Sequence, residues 1–237
     1  LQGVMRLRIE FAPRFDYGEI EPWIYRVGGA ESAGAAGYCA VGSNAGLLLS
    51  GDVLLKPEGA HALCAEVELR EGQRLRLAMQ FVSPEALHAG PLTAAGSDEI
   101  DAHRDETLQW WHEWVSKITY DGQAGVGVDV VRSAIVLKAL TYAPTGAIVA
   151  APTTSLPEQV GGERNWDYRF SWIRDSVFTA QTLVHLGCIA EADAFRRFIQ
   201  RASAGNGEQL QVLYGIDGKR RLTEITLDHL PGWRGSR

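Results

Sequence analysis

Apolar and polar residues alternate with a period of two through the first part of the chain. Met5, Leu7, Ile9 and Phe11 recur with Arg6, Arg8 and Glu10 between them. Successive side chains of an extended chain point to opposite sides, so this pattern predicts a strand with one buried face. The alternation returns at Leu63, Ala65, Val67 and Leu69, and again at Leu75, Leu77, Met79 and Phe81. The short Glu71-Gly72-Gln73 segment between these runs predicts a β-hairpin. An apolar run over 46–55 and a Gly- and Ala-rich turn over 28–37 complete the pattern of an antiparallel β-sandwich.

Small and polar residues over 91–97 end this pattern, and the period then becomes helical. Ser97 followed by Asp98 and Glu99 predicts a helix start, because serine caps free N–H groups and acidic side chains favour the positive end of the helix dipole. Leu108, Trp111, Trp114, Val115 and Ile118 form one apolar face of that helix. A second helix over 129–142 carries Val130, Val131, Ala134, Ile135, Leu137 and Leu140 in several directions. It is therefore expected to be well buried, and Pro144 and Gly146 stop it. A third helix starts near Asp175 and ends before Gly187. A fourth presents Ile189, Ala192, Phe195, Ile199 and Ala202, and the short links predict antiparallel neighbours. The expected division is a β domain over 1–96, a helical linker over 97–124 and a helical domain over 125–237.

A hydrophobic share of 46% with 22% charged residues supports a sizeable core and argues against disorder. The formal net charge of -6, with Lys and Arg scattered, argues against nucleic acid and favours a neutral ligand. No apolar stretch approaches the roughly 20 residues that span a bilayer. The charged alternation of the first residues differs from a signal peptide. Cys39, Cys64 and Cys188 are widely spaced and odd in number, and the six histidines are dispersed. Neither a disulfide framework, a metal site nor a cofactor is expected, and a reducing, cytoplasmic setting is preferred.

Candidate chemistry lies between the second and third helices, where a loop over 144–174 reaches about thirty residues, long for a compact helical domain and therefore functional in expectation. At its end Trp166, Tyr168, Phe170 and Trp172 offer flat apolar surfaces, and Asp167, Arg169, Arg174 and Asp175 offer charged hydrogen-bonding groups. A pyranose has a face of C–H groups and a rim of hydroxyls, so its site needs both. Plainer roles compete. Alternating aromatic and polar residues also describe a half-buried strand, Asp175 stands where a helix N-cap is expected, Arg174 can serve a nearby carboxylate, and Trp110, Trp111 and Trp114 suit the core.

The complete string shifts this balance. Gly146-Ala147-Ile148-Val149-Ala150-Ala151-Pro152-Thr153-Thr154-Ser155-Leu156-Pro157-Glu158, then Gly161-Gly162, then Arg164-Asn165-Trp166-Asp167-Tyr168-Arg169 closely resembles glycoside hydrolase family 15, the glucoamylase-like and trehalase-like family. Arg14-Phe15-Asp16-Tyr17-Gly18, Arg132-Ser133, Leu137-Lys138, Tyr214-Gly215-Ile216-Asp217-Gly218 and Thr223-Glu224 extend the resemblance in order along the chain.

The resemblance implies an N-terminal β-sandwich, a helical linker and the first helices of an (α/α)6 barrel whose loops hold a terminal glucose. It assigns Tyr168, Trp172, Arg174 and Asp175 to the non-reducing-end sugar, and Trp233 and Arg237 to the neighbouring subsite. The implied reaction is inverting, exo-acting hydrolysis of an α-linked gluco-oligosaccharide or trehalose by a glutamate acid and a glutamate base. None of Glu158, Glu163, Glu208 and Glu224 matches a family catalytic position. Both catalytic groups are expected beyond Arg237, in a protein of which this chain is a portion beginning inside the sandwich. A non-catalytic carbohydrate-binding or regulatory relative and a disaccharide phosphorylase are the competing readings.

Overall fold

The computed structural model describes residues 3–28, 36–122, 125–203 and 207–236. The chain divides into two compact units, Leu1–Gln109 and Trp110–Arg237. The first contains strands β1 (Val4–Phe11), β2 (Trp23–Val27), β3 (Ala36–Gly42), β4 (Ala45–Gly51), β5 (Lys56–Pro57), β6 (Leu63–Arg70) and β7 (Leu77–Val82). They form two antiparallel sheets of order β1-β6-β5 and β2-β3-β4-β7.

Two of the alternating runs meet residue for residue. Met5 lies opposite Leu69, Leu7 opposite Val67, Ile9 opposite Ala65 and Phe11 opposite Leu63. Between them Arg6 faces Glu68 and Arg8 faces Glu66, which sets opposite charges across the outer face. Phe11 and Leu63 join Tyr38, Ala40 and Leu49 of the other sheet, with Leu55, in one buried cluster. The buried Tyr38 hydroxyl donates to the Leu55 carbonyl at 2.6 Å, so no polar group is stranded there. Leu48 faces the other way, joining Val27, Cys39 and Val82 under Ala86 and Leu87. β4 is thus apolar on both faces, which explains its continuous hydrophobic run.

The expected hairpin does not form. β6 pairs with β1 and β5, whereas β7 pairs with β4 in the other sheet, and the segment 71–76 connects them. β5 occupies only the Leu63–Cys64 end of the second edge of β6, and the next run pairs instead along β4. β7 takes the edge of the four-stranded sheet, where Met79 and Phe81 remain 66% and 64% exposed. Most of the turn expected over 28–37 lies outside the described residues. A short helix not anticipated from the pattern, α1 (Pro84–Ala89), starts at Ser83, whose side chain accepts from the Ala86 N–H. Proline at the first helical position suits that start.

Helix α2 (Ser97–Val115) begins as expected, but Ser97 is its first residue, and its hydroxyl donates to the Asp52 carboxylate instead of capping. That bond, with help from Arg76, holds Asp52 below the usual carboxylate range against the opposing effect of burial. Of the apolar face, Trp114 is buried, Trp111, Val115 and Ile118 pack around it, and Leu108 is exposed. Trp110 is also exposed, which corrects its expected core role.

The second unit continues with α3 (Gly127–Ala139), β8 (Thr141–Tyr142), β9 (Ala147–Ile148), β10 (Ser171–Trp172), α4 (Ile173–His185), α5 (Ile189–Ala202) and β11 (Leu213–Tyr214). Only Ala134 of α3 is buried, and Val128 and Val136 are exposed. The expectation of a well-buried α3 is therefore corrected: among the described residues, packing covers one side of it, through Val130, Ile135 and Leu137. Gly146 adopts φ 84 in the β8–β9 turn, and a Cβ there would sit 2.5 Å from the Ala194 carbonyl oxygen, so glycine is required twice over.

A buried polar knot ties three helices together. Glu191 on α5 accepts from the Trp114 indole N–H at 2.8 Å and pairs with the Lys138 ammonium at 2.9 Å. Burial alone raises the Glu191 pKa, but these two partners reverse the effect and leave it below its ordinary value. Lys138 also lies over the Trp110 ring, 5.5 Å from its centroid. The Leu137-Lys138 pair singled out by resemblance therefore contributes a half-buried charge, a role its local sequence did not announce.

Candidate sugar-binding site

The long connection between α3 and α4 is an irregular antiparallel ladder. Ala150 donates to Phe170 at 3.1 Å, Ala151 to Tyr168 at 3.1 Å and Ser155 to Trp166 at 2.7 Å, while Tyr168 donates back to Thr153 at 3.1 Å. Thr154 and Asp167 form a bridge between the limbs. The aromatic segment is therefore one limb of a hairpin, and the half-buried strand and the sugar platform describe the same residues. Alternate residues of an extended limb share a side, which groups Tyr168, Phe170 and Trp172. The Tyr168 and Trp172 rings meet edge-on at 5.2 Å and 67°, and Phe170 and Trp172 at 6.5 Å and 83°.

Where this limb becomes α4, buried hydroxyls set the geometry. Ser171 and Ser176 are fully or nearly fully buried, their oxygens lie 3.3 Å apart, and Ser176 donates to the Ile148 carbonyl at 3.1 Å. Ser171 pairs with Tyr214 and Trp172 with Leu213 across β10–β11. The Tyr214 hydroxyl accepts from the Gln211 N–H at 2.9 Å, and its ring is wholly buried against Phe198. Ser171 and Ser176 were not singled out from the sequence. Tyr214 was legible as part of a matching string, whereas the two serines carry no local signal.

Charged groups separate into two kinds. Asp167 and Arg169 bind each other, through Arg169 Nη2 to Asp167 Oδ2 at 2.7 Å and Nε to Oδ1 at 3.0 Å. Asp167 is thereby largely covered, while the Arg169 side chain stays 55% exposed. Arg174 and Asp175 instead remain open, with side chains 79% and 50% exposed and a loose 3.5 Å contact between them. α4 begins at Ile173 with Trp172 at the N-cap, so Asp175 is its third residue and not its cap. The plain capping role is corrected, and the positive end of the dipole still favours its carboxylate.

Trp233 sits in a turn with its side chain exposed, and Arg234 stacks over it at 4.7 Å. The Gly161 N–H donates to Ser236 Oγ at 2.8 Å, which ties this turn to the tip of the aromatic hairpin. Arg237 lies outside the described residues. Among the described residues, no group of three or more His, Cys, Asp or Glu is arranged to hold a metal, and no helix is long and apolar enough to cross a membrane. A groove of about 540 Å³ runs between α4 and α5, lined by Val177, Ala180, Phe195 and Ile199. Its apolar lining distinguishes it from the polar aromatic site.

An aromatic cluster thus lies beside an open cation and an open carboxylate, on a frame of buried serines. Residues 128–237 match the family model of the glycosyl hydrolases family 15. The chain is also similar along its whole length to the trehalase of Mycolicibacterium smegmatis, 39% identical over 241 residues, covering 100% of this chain and 35% of that protein. The trehalase of Mycobacterium tuberculosis is 36% identical, covering 100% and 34%. That of Thermoplasma acidophilum is 33% identical, covering 98% and 37%. This chain therefore spans little more than a third of the length of these relatives. No solved structure matches it.

Proposed function

We propose that this chain is part of an inverting, exo-acting glycoside hydrolase that releases glucose from α-glucosides, with trehalose as the favoured substrate. The carrying observation is the junction at which the Tyr168–Trp172 ring pair adjoins the exposed Arg174 and Asp175. The relatives' names, all trehalases, support trehalose over longer gluco-oligosaccharides.

In this reading Trp172 and Tyr168 present an apolar surface to the C–H face of the terminal glucose. Asp175 accepts from its hydroxyls and Arg174 donates to its oxygens. Hydrogen bonds to charged groups contribute about 1.5–3 kcal/mol each, enough to reject a sugar that leaves one unpaired. Trp233 and Arg237 serve the neighbouring subsite. These residues hold the sugar, and the acid and base that cleave it belong to chain beyond Arg237. An inverting mechanism needs one carboxyl to protonate the leaving oxygen and another to activate a water on the opposite face.

The same reading divides the chain into a β-sandwich over 1–96, a helical linker over 97–124 and the first helices of an (α/α)6 barrel over 125–237. The cluster that joins residues of both sheets supports the sandwich. The open apolar groove between α4 and α5 supports a barrel whose remaining helices cover it. Three free cysteines support a cytoplasmic setting.

The full-length protein is expected to hydrolyse trehalose without a requirement for phosphate as co-substrate, and the 237-residue chain alone is expected to show no turnover on trehalose or maltooligosaccharides. Turnover by the isolated chain would overturn the placement of the acid and base. Phosphorolysis in place of hydrolysis would overturn the reaction class.

A further inference from the structure

We propose that Ser236 is a positioning residue, whose buried hydroxyl sets the place of Trp233 relative to the Tyr168–Trp172 wall and so shapes the subsite for the second sugar. The inference rests on the proposed glucose site. Its geometric basis is a pair of tight turns joined by one hydrogen bond.

The first turn closes when the Gly162 N–H donates to the Gln159 carbonyl at 2.9 Å. Gly161 sits inside it at φ 79, and a Cβ there would meet nothing within 4 Å. Glycine is present for backbone conformation and not for space. A left-handed residue at the third position is the type II pattern, which leaves that residue's own N–H outside the turn's bond. This N–H reaches Ser236 Oγ at 2.8 Å across 75 residues of chain.

The second turn closes when the Ser236 N–H donates to the Trp233 carbonyl at 3.1 Å. Its central residues, Arg234 at φ 50 and Gly235 at φ 75, are both left-handed. For an arginine that conformation is unfavourable and persists only where the surroundings over-determine it. The surroundings here are specific: Ser236 is 0% exposed, whereas Trp233, three residues earlier, is 53% exposed. A strained turn thus presents a large aromatic to solvent and is pinned from beneath by a buried hydroxyl. The pinned tip belongs to the hairpin whose returning limb carries Tyr168 and Trp172. A side chain that only filled space would not need to accept from a backbone N–H of the other turn.

The test has a ligand-free arm and a kinetic arm in the full-length protein. With 5-fluorotryptophan incorporated and the Trp233 resonance assigned by Trp233→Phe, Ser236→Ala is expected to shift or broaden that ¹⁹F signal, and Ser236→Thr to restore it. In the unmodified protein the Gly161 amide is expected to exchange at least tenfold more slowly than an open chain, a measurement that does not depend on any variant folding. KM for trehalose is expected to rise about tenfold in Ser236→Ala, the equivalent of one lost hydrogen bond, with kcat within about twofold and competitive inhibition by glucose unchanged. An unprotected Gly161 amide, or an unmoved Trp233 signal together with an unmoved KM, would overturn the proposal. If the ligand-free signals respond while neither sugar binds, the pin stands and the glucose site fails.

Discussion

Asp175 and Glu191 occupy the same position in consecutive helices, each the third residue after the N-cap, yet they have opposite environments. Glu191 is buried, and its Oε1 takes both the Lys138 ammonium and the Trp114 N–H. Asp175 is half exposed and meets Arg174 loosely at 3.5 Å. Each carboxylate has a cation and a tryptophan nearby in its part of the fold. Where the three satisfy one another in the interior, the arrangement holds helices together. Where they stay apart at a surface, lone pairs and ring faces remain available to a ligand. Mutual satisfaction and burial, not residue type, separate the structural carboxylate from the one proposed to bind sugar.

The comparison breaks if the two carboxylates prove interchangeable in effect. Removing Glu191 should cost most in stability: Glu191→Ala strands Lys138 and is expected to lower unfolding free energy by about 3 kcal/mol in urea titration. A loss below about 1 kcal/mol would place the knot among ordinary surface pairs. Asp175→Ala should do the reverse, lowering kcat/KM on trehalose about a hundredfold, or about 2.7 kcal/mol, while unfolding changes by less than about 0.5 kcal/mol. Near-normal activity would reduce Asp175 to a favourable charge at a helix end.

A pH measurement sharpens the same contrast with a smaller effect. Because the Glu191 pKa is lowered on folding, the knot's contribution is present above the ordinary carboxylate value and is lost as pH falls through the folded one. Glu191→Gln is therefore expected to flatten the acid limb of the stability profile, and an unchanged slope would count against the knot as its source. Smallest is Trp172→Phe, which keeps an aromatic face of lesser area and is expected to raise KM about threefold without altering stability beyond about 1 kcal/mol. A larger change in unfolding than in KM would make Trp172 a core residue.

Much of this was legible along the chain because its cause is local. The facing alternations of β1 and β6, the helix over Ile189–Ala202 and the aromatic hairpin limb follow from periodicity and turn chemistry. Even α1, which went unread, carries its signal in Ser83-Pro84-Glu85. Strand partnership was not legible: the run ending at Phe81 alternates like a hairpin limb, yet its partner is β4 of the other sheet. The Ser171–Ser176 frame and the Gly161–Ser236 bond were hidden for a similar reason, since a buried serine leaves no periodic trace.

What the sequence determined by itself is the change from strands to helices, the resemblance to a sugar-hydrolase family and the identity of the aromatic and charged segment before α4. What only the tertiary structure decided is which carboxylate closes on a lysine and which stays open, and which charged residues, such as Asp167 and Arg169, spend themselves on each other. Periodicity and caps act within a few residues and are written in order along the chain. Pairing and burial depend on which distant segment arrives to supply the partner, and that is fixed only when the chain folds.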